Sequence, residues 1–152
     1  DHEDTFALIP KMQKKEDFSQ WLLSVALRMN QVMNQERDNT MKQVIQEAKE
    51  YIMDNYQDPD LSVEKICRHL HMSPAYFSTM FKKETGQPFV TYLTDYRMDR
   101  AEELVLNTDE KSYKIAEKVG YQDANYFSYV FKKKFGVSPS KYRASGKKEN
   151  EK

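Results

Sequence analysis

Glycine is scarce, with four in 152 residues, and nothing resembles the glycine-rich loops that cradle phosphates. The single cysteine, Cys67, excludes an internal disulfide framework and points to a reducing cytoplasm. Cys67, His69 and His71 lie close in sequence, but positions two apart on a helix face different ways and make no metal-ligand set. Cys67 reads instead as a small apolar filler of a core. No nucleophile motif and no Cys/His metal spacing is present, so neither enzyme chemistry nor a cofactor or metal is expected. The longest strongly apolar stretch, Trp21 to Leu27, is too short to span a bilayer, and no membrane partner is expected. The N-terminus is acidic (Asp1, Glu3, Asp4) and lacks both an initiator Met and a signal-peptide pattern. The chain reads as a piece of a longer protein.

The net charge is zero, which disguises an asymmetry. Residues 1–56 carry −3, residues 57–148 carry +4 and the last four carry −1. Residues 124–148 hold seven Lys or Arg and no acid, a basic patch of the kind that attracts phosphates.

Strand-like alternation is missing, whereas Glu, Lys, Met, Leu and Ala are abundant, so an all-α fold is expected. Residues 1–15 show no clear period. Phe18, Leu22, Val25, Met29 and Val32 then step by four and three, widened by Trp21 and Met33. This stripe predicts an N-terminal helix over about residues 16–37. Two readings of it stay open: a helix packed on its own domain, or one that pairs two chains or transmits a signal. A second helix is expected on Met41, Val44, Ile45, Ala48 and Ile52, ended before Pro59.

The most informative feature is a repeat with a period of 50 residues. Tyr76-Phe77-Ser78 returns as Tyr126-Phe127-Ser128, Phe81-Lys82-Lys83 as Phe131-Lys132-Lys133, and Gly86 as Gly136. A repeat of this size means one supersecondary unit built twice. Each copy reads helix, short turn, helix, the helix-turn-helix arrangement. In the first, Ser62 caps a helix from Leu61 to Leu70, His71-Met72-Ser73 turn the chain, and Ser73-Pro74 open a helix that Gly86 ends. In the second, Ser112 caps a helix from Tyr113 to Val119, Gly120-Tyr121-Gln122 turn the chain, and Asp123 caps a helix from Ala124 that Gly136 stops. Between the copies, Phe89 to about Leu106 reads as one long helix with Phe89, Leu93, Tyr96, Ala101, Leu104 and Val105 inward. Its span of roughly 27–30 Å comes near the 34 Å between successive major-groove faces on one side of DNA. A short helix from Pro139 to Arg143 closes the domain.

The second helix of each copy buries one face and offers another. On Pro74 to Thr85, Phe77, Met80 and Phe81 point to a core, and Ala75, Ser78, Thr79 and Lys82 share the opposite side. In the second copy the matching positions are Asn125, Ser128, Tyr129 and Lys132. Such small polar faces approach base edges: hydroxyls donate or accept, a methyl meets thymine, and Asn bonds adenine through N6 and N7. The other Phe and Tyr residues at helical spacing read as core, with Tyr129 the exception. A polar, lysine-bearing helix face is more often merely solvated. Its recurrence, which no packing need requires, favours readers of double-stranded DNA.

These residues resemble the DNA-binding domain of the AraC/XylS family of bacterial transcription regulators. The likeness covers about residues 43–143 and rests on Leu61 to Ile66, Ser73 to Gly86, Ile115 to Tyr121, Asn125 to Lys133 and Gly136 to Arg143. It implies a seven-helix domain with two helix-turn-helix subdomains joined by a long linker helix, preceded here by an additional N-terminal helix. The expected organisation is an N-terminal tail and linker or dimerisation helix over residues 1–42, the double helix-turn-helix domain over 43–144, and a disordered tail over 145–152.

The resemblance also implies base contacts from Ala75, Ser78, Thr79, Asn125, Ser128 and Tyr129. Phosphate contacts fall on Ser73, Lys82, Lys83, Lys132, Lys133, Lys134 and Lys141, and on Arg97, for which a structural ion pair is the equal alternative. Where family members often carry long side chains, Ala75, Ser78 and Thr79 are small, so the second copy is expected to read more sequence. Residues 16–56 are similar to the segment preceding the output domain of two-component response regulators. The implied partners are DNA, RNA polymerase, an upstream receiver domain of the same protein and a second copy of the chain. An upstream small-molecule sensor is the alternative to the receiver. A helical protein-interaction or RNA-binding module is the rival reading.

Overall fold

The computed structural model describes residues 15–149, with side-chain surroundings as far as Gly146. Residues 1–14 of the expected lead-in over 1–15 and the last three residues of the expected tail lie outside them. The described residues form seven helices and no strand: α1 Lys15–Asn55, α2 Val63–His69, α3 Pro74–Thr85, α4 Phe89–Asn107, α5 Ser112–Lys118, α6 Ala124–Phe135 and α7 Pro139–Glu149.

The two helices expected before residue 56 are one, 41 residues long. The apolar stripe lapses around Arg37-Asp38-Asn39-Thr40, but no Gly or Pro stands between Lys15 and Asn55 to stop the ladder. Side chains bond along it instead, Asn34 Nδ2 donating to Asn30 Oδ1 at 2.9 Å and Thr40 Oγ1 to the Glu36 carbonyl at 2.9 Å. The residues up to Gln43 and those from Val44 onward form separate compact units. In the first, none of the expected stripe is buried: Phe18, Leu22, Met29, Val32 and Met33 are exposed, and Trp21 and Val25 are half-buried.

The second unit holds two cores. Ile45, Ala48 and Ile52 of α1 join Leu61, Ile66, Cys67, Phe77, Phe81, Phe89 and Leu93 in the first. Met98, Ala101, Val105, Ile115, Ala116, Val119, Tyr121, Phe127, Val130 and Phe131 make the second. The helix α4 serves both, since its apolar side passes from Phe89 and Leu93 to Met98, Ala101 and Val105 within its 19 residues. Cys67 is buried as its apolar surroundings require, and burial pushes its thiol pKa up.

The turn chemistry follows the repeat. Ser62 Oγ accepts the Lys65 amide, and Gly86 and Gly136 end α3 and α6 in the left-handed conformation. Ser112 does not cap α5: the helix begins on it, with Lys111 at the cap position and no side-chain bond there. The expected disordered tail is helical through Glu149, because α7 does not stop at Arg143. Arg143 anchors it, its Nε donating to the Val105 carbonyl at 2.8 Å and Nη2 to the Glu110 carbonyl at 2.6 Å. No described helix is long and apolar enough to cross a membrane.

Candidate DNA interface

The helices α3 and α6 present equivalent faces. Phe77 and Phe81 of α3, like Phe127 and Phe131 of α6, are fully buried, which fixes the rotation of each helix. That rotation exposes Ser73, Ala75, Ser78, Thr79, Lys82 and Lys83 on the first unit. On the second it exposes Asn125, Tyr129, Lys132 and Lys133 and leaves Ser128 half-buried. Lys141 of α7 is also exposed.

The two helix starts differ. Asp123 Oδ1 accepts the amides of Asn125 at 2.7 Å and Tyr126 at 3.2 Å, so the backbone beneath Asn125 is held while its side chain projects. Ser73 occupies the matching cap position without a side-chain cap bond. Two hydroxyls have already spent their protons: Thr79 Oγ1 donates to the Ala75 carbonyl at 3.0 Å and Ser128 Oγ to the Ala124 carbonyl at 2.9 Å. While these bonds hold, their oxygens can accept from a ligand.

Arg97 and Lys134, both expected to contact phosphate, have partners within the protein. Arg97 is only 8% exposed. Its Nε donates to the Tyr56 carbonyl at 2.8 Å and its Nη2 to the Asp58 carbonyl at 2.7 Å, and the guanidinium carbon lies 5.5 Å from the Tyr121 ring centre. Burial lowers its pKa, opposed by Tyr121 and Asp58, and an arginine remains charged regardless. These partners are two carbonyls and a ring rather than the acid a structural ion pair would use. Lys134 bridges to Asp99 at 2.7 Å and Asp95 at 3.2 Å on α4. Burial opposes its charge, but the two carboxylates outweigh it and raise its pKa. Lys134 thus braces α6 against α4 instead of standing free for phosphate.

Tyr129, at 63%, is exposed as expected, but Tyr76 and Tyr126 are also outside, at 44% and 57%. Each precedes a buried Phe and is turned about 100° from the core stripe, which a count of aromatics at helical spacing overlooks. Tyr126 stacks on Tyr129 with ring centres 6.4 Å apart, next to Asn125.

The helix-turn-helix domain family matches residues 66–145. The chain belongs to the AraC family of transcription regulators. AraC-type domains bind DNA and are not enzymes, and the present chain is such a DNA-binding domain. Solved structures similar to this chain include the C-terminal domain of AraT, a response regulator from Geobacillus stearothermophilus. It is 42% identical with a TM-score of 0.66, over 67% of this chain and 84% of that one. The C-terminal domain of the two-component response regulator yesN from Fusobacterium nucleatum is 41% identical, with a TM-score of 0.63, over 67% and 96% of the two chains. The arabinose operon regulatory protein of Escherichia coli is 31% identical over 123 residues, or 81% of this chain, which spans 42% of that protein's length.

Proposed function

We propose that this AraC-type domain is the output end of a response regulator and binds one DNA duplex through two successive major grooves. The observation that carries the two-headed reading is the exposure of matched faces on α3 and α6, each backed by lysines in its last turn. The response-regulator reading is supported by the likeness to AraT and yesN, whose isolated C-terminal domains come from such proteins. In this reading Ala75, Ser78, Thr79, Asn125, Ser128 and Tyr129 face bases. Thr79 and Ser128, left as acceptors, suit the amino groups of adenine or cytosine. Ser73, Lys82, Lys83, Lys132, Lys133 and Lys141 face phosphates, which give affinity without sequence information. An upstream receiver would deliver the signal through α1, and RNA polymerase would receive the output.

Selection of bound duplexes from a random pool tests this directly. Two short motifs about 10–11 base pairs apart are expected; a single motif, or no preference, overturns the two-headed reading. Asn125→Ala is expected to cost about 1–3 kcal/mol on the selected site and to relax preference at one base pair. Lys132→Ala is expected instead to weaken binding on every sequence and to lower the salt slope by about one. Titrations at several salt concentrations separate the two, and equal losses on all duplexes for Asn125→Ala would remove its reading role.

What supports a homodimer in this reading is the exposed apolar stripe of α1, which steps by four and three between Phe18 and Val32. Sedimentation of the chain with and without residues 1–40 checks it. A dimer is expected for the full chain and a monomer for the shortened one; monomers in both reject the homodimer.

A further inference from the structure

Arg97 occupies the point on α4 where one core gives way to the other. Leu93, one turn before it, belongs to the first core, and Met98 and Ala101, just after it, belong to the second. The two cores have no buried residue in common, and Tyr56 is partly buried against both. Units joined by one helix and a modest contact move relative to each other unless something locks them. The Arg97 guanidinium meets both sides of this joint. It donates to the Tyr56 and Asp58 carbonyls in the segment after α1, and it lies over the Tyr121 ring in the turn of the second helix-turn-helix. Gly120 permits the approach, since a Cβ there would stand 2.6 Å from the Tyr56 oxygen and 2.8 Å from Arg97 Nη2.

We propose that Arg97 is a positioning residue that sets the angle between the two helix-turn-helix units, and thereby the half-site spacing the domain accepts. The inference rests on the two-headed reading of the DNA interface, and Arg97 itself touches no DNA in it. The chemistry favours arginine: its planar fork reaches two carbonyls at once and stays charged when buried, whereas a lysine ammonium is a single point on a flexible stem. Arg97→Lys keeps the charge and loses the fork.

Two measurements on the full chain test this. Nitroxides on Glu64→Cys and Glu117→Cys, both exposed and on α2 and α5, report the distance between the units in the free protein. Cys67 is buried and does not compete for label. A narrow distance distribution is expected in the parent, and a broadened or displaced one in Arg97→Lys at unchanged helical circular dichroism. The second measurement is affinity for the selected duplex with its half-sites at the preferred spacing and one or two base pairs further apart. The parent is expected to lose at least tenfold on the longer spacers, and Arg97→Lys less than threefold, while affinity for one isolated half-site stays within twofold. A folded Arg97→Lys with parental distances and spacing preference overturns the proposal. So does a uniform loss on all duplexes with a shallower salt slope, which would restore a phosphate contact. If Arg97→Lys does not fold, Tyr121→Leu, which removes the ring beneath the guanidinium, takes the same two measurements; failure of both to fold overturns the proposal by making the group a requirement of folding. If the parent itself shows no spacing preference, the two-headed reading fails, and the proposal with it, whatever the nitroxide distances report about the joint.

Discussion

Gly120→Val should destabilise the domain by about 4 kcal/mol, read as a shift in chemical denaturation. The left-handed backbone at φ +85° costs an ordinary residue roughly 1–2 kcal/mol. The added side chain must also displace the Tyr56 carbonyl or Arg97, and each charge-assisted bond lost there costs about 1.5–3 kcal/mol. Gly136 supplies the control. Its φ of +82° is nearly the same, yet nothing lies within 4 Å of a Cβ built there. Gly136→Ala should therefore cost only about 1 kcal/mol, the conformational part alone. Equal losses at the two positions would mean that close approach is not what demands glycine at 120.

Phe131→Ala should cost about 3–5 kcal/mol, a large share of the stability of a domain this size. The ring is fully buried, with Phe127, Phe135 and Tyr142 at centre distances of 5.9, 4.5 and 5.7 Å. Collapse of so crowded an aromatic site around an alanine is incomplete, so a cavity penalty adds to the lost transfer energy. Tyr129→Ala on the same helix should change stability by less than about 0.5 kcal/mol, since its ring is exposed, and should lower affinity for the selected duplex. Denaturation and binding titrations on the two variants separate the structural side of α6 from its proposed reading side. A Phe131→Ala loss no larger than that of Tyr129→Ala would mean the second core does not close around Phe131.

The exposed faces of α3 and α6 were largely legible because they obey local rules. The 50-residue repeat carries its own helix starts, stops and buried Phe pairs, and the rotation of α3 and α6 follows from those pairs without tertiary information. Local rules also mislead in identifiable places. The polar run at Arg37 to Thr40 looks like a break, but lack of an apolar stripe ends burial and not hydrogen bonding, so α1 continues. Ser112 looks like a cap and is the first helical residue instead. Tyr76 and Tyr126 look like core because they adjoin it in sequence, while one helical step turns them outward.

Charged side chains mark the deeper limit. Lys134 ends a run of three lysines that suggests phosphate, the family resemblance suggests it for Arg97, and sequence spacing says nothing about groups some 40 residues away. Arg97 finds its carbonyls at Tyr56 and Asp58, and Lys134 its carboxylates at Asp95 and Asp99. The chain alone determined the all-helical class, the doubled helix-turn-helix and the buried Phe pairs that orient α3 and α6, since these depend on neighbours within a turn or two. Only the tertiary structure decided that Arg97 and Lys134 brace the fold, because a long side chain is committed by whatever partner packing brings within about 3 Å of its tip.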